Sequence, residues 1–282
     1  MTRVMLKDNL GTAAASARMP SPNIWGDCPI EAIRNGGVAG TILEDDFLDF
    51  PLIGTQTTEI AHGRYKVFAH TGCAVTPVST VNSLEVGKGV LDASLDTDGD
   101  SASLAQSYPS FLLTSTAGKL WFEARICYTP ITTNGIGWFI GLAETELWTL
   151  AAGVPFNASD AITNSASAIG FRKPEDDTTT FDTVYSDRAT SFTNIGDGEG
   201  SVAAAYQWTK LGMVFDPDLP AAQRITFYQD NAALSTKVAN STLTGLTNLD
   251  ANALGVMFAM IADSGGTSGH VYLDWWKCIQ IG

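Results

Sequence analysis

The chain has 282 residues, 45% of them hydrophobic and 16% charged, with 16 Lys+Arg against 30 Asp+Glu and a formal net charge of -14. This composition excludes a disordered chain, and the sign of the charge is wrong for neutralising phosphates or an anionic membrane, so no direct nucleic-acid or membrane partner is expected. A chain of this length buries roughly three quarters of the surface it exposes when unfolded, enough for one large core.

Residues 1–41 hold no sustained period of two or 3.6, and "PSPN" and "RNGGVAGT" break them. They predict an extended N-terminal arm ahead of a body spanning 42–282. Its charge also differs: Arg3, Lys7, Arg18 and Arg34 stand against Asp8, Asp27 and Glu31, giving +1 for the arm and -15 for the rest. In "IWGDCPIEAI" the apolar Ile24, Trp25, Ile30 and Ile33 are too few to make their own core. They need a surface to bury against, either the body of the same chain or another chain, and are the candidate partner contacts. Lys7 and Asp8 interrupt any apolar leader, so a signal peptide is not expected, and no apolar run reaches membrane-spanning length.

From residue 42 short apolar stretches alternate with Gly, Asn, Asp, Ser and Thr clusters, which predicts antiparallel β architecture. In "KLWFEARICY" Leu120, Phe122, Ala124 and Ile126 form a face to bury, opposite Trp121, Glu123, Arg125 and Cys127. A loop with Asn134-Gly135 leads to "IGWFIGLA", and the two runs read as a hairpin-like pair. In "QWTKLGMVFD" Leu211, Met213 and Phe215 share a face, opposite Trp208, Lys210 and Val214. "RITFYQ" ends at the turn signal Asp230-Asn231, with "LSTKVA" returning beside it. Finally "LGVMFAMIA" and "HVYLDWWKCIQI" flank Asp263–Gly269, whose chemistry is that of a hairpin loop.

Within that loop Asp263-Ser264-Gly265-Gly266 has the look of a serine-protease nucleophile turn, with His70 near Cys73 upstream. No Gly precedes Asp263 and only 18 residues follow Ser264, so Ser264 reads as a turn residue. Asp96, Asp98 and Asp100 in "DTDGD" read as a solvated acidic turn, with a hard cation such as calcium as the alternative, because the spacing is not that of an EF-hand. His62, His70 and His270 share no metal-ligand spacing, and Cys28, Cys73, Cys127 and Cys278 are too widely spaced to make a cluster. No catalytic residue, cofactor or metal is expected. Aromatic faces can cover the apolar side of a pyranose ring, and Trp121 and Trp276 are the candidate sugar platforms.

The stretch "GKLWFEARICYTP…GIGWFIGLAE", with "RITFYQDNA" and "VYLDWWKCIQI", resembles the strands of concanavalin A-like jelly rolls, including family 16 glucanases. That resemblance implies an all-β jelly-roll β-sandwich. The glucanase activity does not follow from it. Glu144 and Glu146 in "LAETELW" share a strand face, but the aspartate and third acidic residue of the family motif are missing. The whole chain, through "SPNIWGDCPIEAI", "TILEDDFLDFP" and "SYPSFLLTSTAGKLWFEARI", also resembles tailed-bacteriophage virion proteins of lectin-like fold. This second resemblance implies a non-catalytic homo-oligomer on the capsid surface, decorating or cementing it with its arm against the major capsid protein or other virion subunits. The alternative is a lectin-like module that binds host glycans.

Overall fold

The computed structural model describes residues 18–50, 56–70, 73–80, 86–95, 101–128, 136–145, 166–175, 180–189, 192–201, 207–220, 223–234, 252–262 and 269–282. Two short helices, α1 (Pro22–Trp25) and α2 (Ile30–Arg34), precede the strands. The strands are β1 (Gly40–Asp45), β2 (Gln56–His62), β3 (Tyr65–Ala69), β4 (Ala74–Thr80), β5 (Val86–Leu95), β6 (Ser101–Gln106), β7 (Leu120–Tyr128) and β8 (Ile136–Ala143). They continue with β9 (Ala168–Lys173), β10 (Thr180–Ser186), β11 (Thr193–Ser201), β12 (Thr209–Phe215), β13 (Ile225–Gln229), β14 (Ala232–Ala233), β15 (Gly255–Ala262) and β16 (Gly269–Ile281).

All the pairings are antiparallel and fall into two sheets. Sheet A runs β14-β13-β12-β7-β16-β5-β4, with β1 also on β16, and sheet B runs β11-β10-β9-β8-β15-β6-β3-β2. β16 pairs with β7 through its length, and its other edge takes β5 over Gly269–Leu273 and β1 over Trp276–Ile281. This is the all-β sandwich that the resemblance implies, built of the antiparallel strands that the alternation predicts. Leu211, Met213 and Phe215 do face the core, as do Leu120, Phe122, Ala124 and Ile126. Aromatic pairs join the layers: Phe171 of sheet B meets Phe227 of sheet A edge-on at 5.3 Å, and Trp276 Nε1 donates to the Tyr65 hydroxyl at 3.1 Å. Among the described residues no helix is long and apolar enough to cross a membrane.

Three sequence expectations change. β7 and β8 are not a hairpin-like pair, because they lie in opposite sheets, and the run before Asp263 and the run after it likewise split into β15 of sheet B and β16 of sheet A. Alternation reports which side chains share a face but not which strand lies alongside. The Asp230-Asn231 turn is as expected, with φ of 49° and 71° joining β13 to β14, while most of "LSTKVA" lies outside the described residues.

The third change concerns the arm, of which residues 1–17 lie outside the described residues. Residues 18–39 are not extended but form α1 and α2, docked on the outer face of sheet A. Pro22 stands at the first helical turn, where its missing N–H costs nothing, and Gly36, just past α2, takes φ 72° to end it. Both helices are shorter than the window in which a helical period is readable. Strand structure begins at Gly40.

Candidate functional site

On β9, Ile169 and Phe171 face the core, so Ala168, Gly170 and Arg172 point outward, and on β10 Phe181 faces the core while Asp182 and Val184 point outward. The register sets Asp182 opposite Arg172. Around them the outer face of sheet B has a floor of Ala143, Ala168, Val184, Met257 and Ala259, over which Phe192 stacks on Phe139 at 5.4 Å and 20°. The Arg172 guanidinium lies 5.6 Å from the Phe192 ring centroid.

The β10–β11 ladder is irregular here, with Phe181 opposite Gly200 but Thr183 opposite Gly196. The extra residues on β11 bow outward, and Gly198, at φ 60°, turns its N–H back to donate to Asp182 Oδ1 at 2.8 Å. Asn194 Nδ2 donates to Asp182 Oδ2 at 3.3 Å. Asp182 is 3% exposed, whereas Asn194, Asp197 and Gly198 are at the surface. Burial raises the Asp182 pKa and the charge of the Asp197 carboxyl raises it further, against the opposing pull of the Gly198 N–H and Arg172. The result is a pre-set group in which the Asn194 amide and the Asp197 carboxyl stand at the surface over buried Asp182, suited to a ligand rich in hydroxyls.

No family model matches the sequence, and no curated protein matches it. Solved structures do. An endo-1,3-β-glucanase from Streptomyces sioyaensis is similar with a TM-score of 0.54 at 14% identity, over 86% of this chain and 97% of that one. A pseudo-β-1,3-glucanase of Mycobacterium tuberculosis gives 0.49 at 13% identity over 85% and 98%, and a protein of unknown function from Shewanella oneidensis gives 0.48 at 12% over 90% and 94%. The sandwich is a concanavalin A-like jelly roll.

Within the jelly roll the predicted sugar platforms are closed. Trp121 and Trp276 are each 1% exposed. Trp276 points into the core, and Trp121 lies under the α1–α2 segment with its Nε1 donating to Asp27 Oδ1 at 2.9 Å. The predicted partner contacts are also engaged within the chain: Ile24 and Ile33 are buried with Trp121 and Ile279, and Trp25 and Ile30 are half-buried beside them. Glu144 does not resemble a general acid. Burial would raise its pKa, but the Arg188 guanidinium at 2.6 Å and the Ser167 N–H at 2.7 Å outweigh that and lower it. Its supposed partner Glu146 lies outside the described residues, as do Ser264 and the acidic run Asp96, Asp98 and Asp100. His70 is exposed at the end of β3. None of the four cysteines is in a disulfide, and among the described residues no cluster of His, Cys, Asp or Glu could hold a metal.

The Arg172–Asp182 pair was missed from sequence. Its signal is an Arg following Phe171 and an Asp following Phe181, opposite charges each one step from a core phenylalanine. That signal depends on knowing that β9 and β10 are neighbours.

Proposed function

We propose that this jelly roll is a non-catalytic carbohydrate-binding protein that takes its ligand at the β10–β11 edge of sheet B. The observation that carries the reading is Asp182, held below the surface by Gly198 and Asn194 while Asn194 and Asp197 remain open. Polar groups locked in place at the surface are what the hydroxylated rim of a pyranose requires. The non-catalytic part is supported by the ion pair that occupies Glu144. The likeness to an endo-1,3-β-glucanase makes β-1,3-glucan the first ligand to try. Calorimetry with β-1,3-gluco-oligosaccharides should give binding that Asn194→Ala weakens by about tenfold, one hydrogen-bonding group's worth, with no release of reducing sugar. Undiminished binding by the variant would remove the site from this edge, and sugar release would remove the non-catalytic reading.

A second reading, a tailed-phage virion protein that decorates or cements the capsid as a homo-oligomer, keeps the support of the sequence resemblance and of one structural feature. Arg18 is clamped on Asp274, which gives residues 1–17 a fixed root on the outer face of sheet A. With Ile24 and Ile33 seated on their own body, the staple would be residues 1–17 instead. Removing residues 2–17 should then abolish incorporation into particles, and full incorporation of the shortened chain would end this reading.

A further inference from the structure

The outer face of sheet A is built around a guest. β12 carries Gly212 where a Cβ would stand 2.3 Å from Ile24 Cδ1, so the strand has a hole that Ile24 fills. Glu123, on β7, is fully buried and accepts from Ser21 N at 3.0 Å and Trp25 Nε1 at 2.6 Å. Lys210 Nζ donates to the Met19 carbonyl at 3.1 Å, and Asn23 donates from its backbone N to Asn231 Oδ1 at 2.7 Å and from Nδ2 to the Asn231 carbonyl at 2.8 Å. The guest is pinned at both ends by ion pairs, Arg18 to Asp274 and Arg34 to Glu44.

Two features set this segment apart from ordinary core. It contributes no strand, because β1 begins at Gly40, so both hydrogen-bonded ladders are complete without it. Its seat has an apolar floor of Trp121 and Ile279 but is otherwise lined with ionisable groups, Glu123, Arg125, Lys210 and Asp274, which water solvates well when the seat is empty. A surface meant only to stay covered is less costly when apolar, whereas buried ion pairs select one partner. The tether is short: Asn35, then Gly36 in the left-handed region, Gly37, Val38 and Ala39. Glycines let such a connection straighten and carry the segment away from its own body.

We propose that this face is a self-recognition surface, which accepts residues 18–34 of a second copy of the chain as it accepts its own. Exchange replaces every contact by an identical one, so copies joined in this way differ from monomers chiefly at the tether and in association entropy. The exchange does not depend on the carbohydrate reading, and the two fail in separate experiments.

The Asn23–Asn231 contact provides the test in the full-length chain, in a Cys28→Ser background. Asn23→Cys and Asn231→Cys, placed together in one chain, report the seat itself by forming a disulfide. The two single variants, tagged differently and co-expressed so that segments can exchange during folding, should give a disulfide-linked heterodimer on a non-reducing gel, well above the homodimer from either variant alone. An internal disulfide in the double variant with no heterodimer from the singles would overturn exchange. Absence of both would overturn the seat and the proposal with it.

Discussion

Ile24 occupies the space that Gly212 leaves empty: a Cβ on residue 212 would meet Ile24 Cδ1 at 2.3 Å and the Phe122 carbonyl oxygen at 3.0 Å. Glycine normally weakens a strand by about 0.5–1 kcal/mol relative to alanine, so on backbone grounds Gly212→Ala should stabilise. The contact with Ile24 reverses the sign. We expect Gly212→Ala to lower stability by about 1–3 kcal/mol, the usual cost of overpacking, and Gly212→Ala with Ile24→Val to recover part of it. Urea unfolding checks both, and a stabilised single variant would show that Ile24 does not seat there.

Asp274 is fully buried and takes hydrogen bonds from two guanidiniums, those of Arg125 and Arg18. Arg125 is itself 1% exposed, with its guanidinium carbon 4.3 Å from the Trp208 ring centroid. Asp274→Ala leaves this cation without its carboxylate and should cost about 3–5 kcal/mol, whereas Asp274→Leu combined with Arg125→Met should cost far less. The comparison of unfolding midpoints separates the value of the pair from the penalty of halving it.

Burial lifts the pKa of Glu123 above its usual value, and the hydrogen bonds from Ser21 and Trp25 lower it only in part. The folded state therefore holds this proton more tightly than the unfolded one. Stability from this group is fully present below the ordinary glutamate pKa of 4.5 and declines as pH rises through the higher folded value. Glu123→Gln should flatten that part of the stability profile, and an unchanged slope would exclude Glu123 as its source.

His270 Nδ1 lies 2.8 Å from Asp92 Oδ1, and its ring stacks on Tyr272 at 5.7 Å. The hydrogen bond with Asp92 raises its pKa against the effect of burial. The sign for a base is that stability is present below the ordinary value of 6.5 and is lost as pH climbs through the folded one. Asp92→Asn should remove this loss, measured as the change in thermal midpoint across neutral pH.

The sequence was most informative where a local rule sets the outcome. The side-chain period of two put Leu211, Met213 and Phe215 into the core, and the Asp230-Asn231 pair formed its turn. It was least informative wherever a distant element decides. Trp121 stands on the outer face of β7, as the alternation says, yet it is buried because α1 and α2 lie over it. Helices of four and five residues leave no period to read. Asp182 and Arg172 face each other because β9 and β10 are neighbours, a relation that neither stretch carries alone.

The placing of β15 and β16 bears on how the molecule reaches its native state. β15 lies between β8 and β6, and β16 lies between β7 on one edge and β5 and β1 on the other, so in each layer an interior strand is supplied later in sequence than all its neighbours. Until they arrive, the layer of β2, β3, β6 and β8–β11 is held as two separate ribbons, and the opposite layer is divided along its middle. Closing both gaps needs contacts between residues more than a hundred positions apart, which slows assembly and leaves raw edges open to other chains in the interval. Refolding from denaturant should be slow for a domain of this size, and its yield should fall steeply as protein concentration rises.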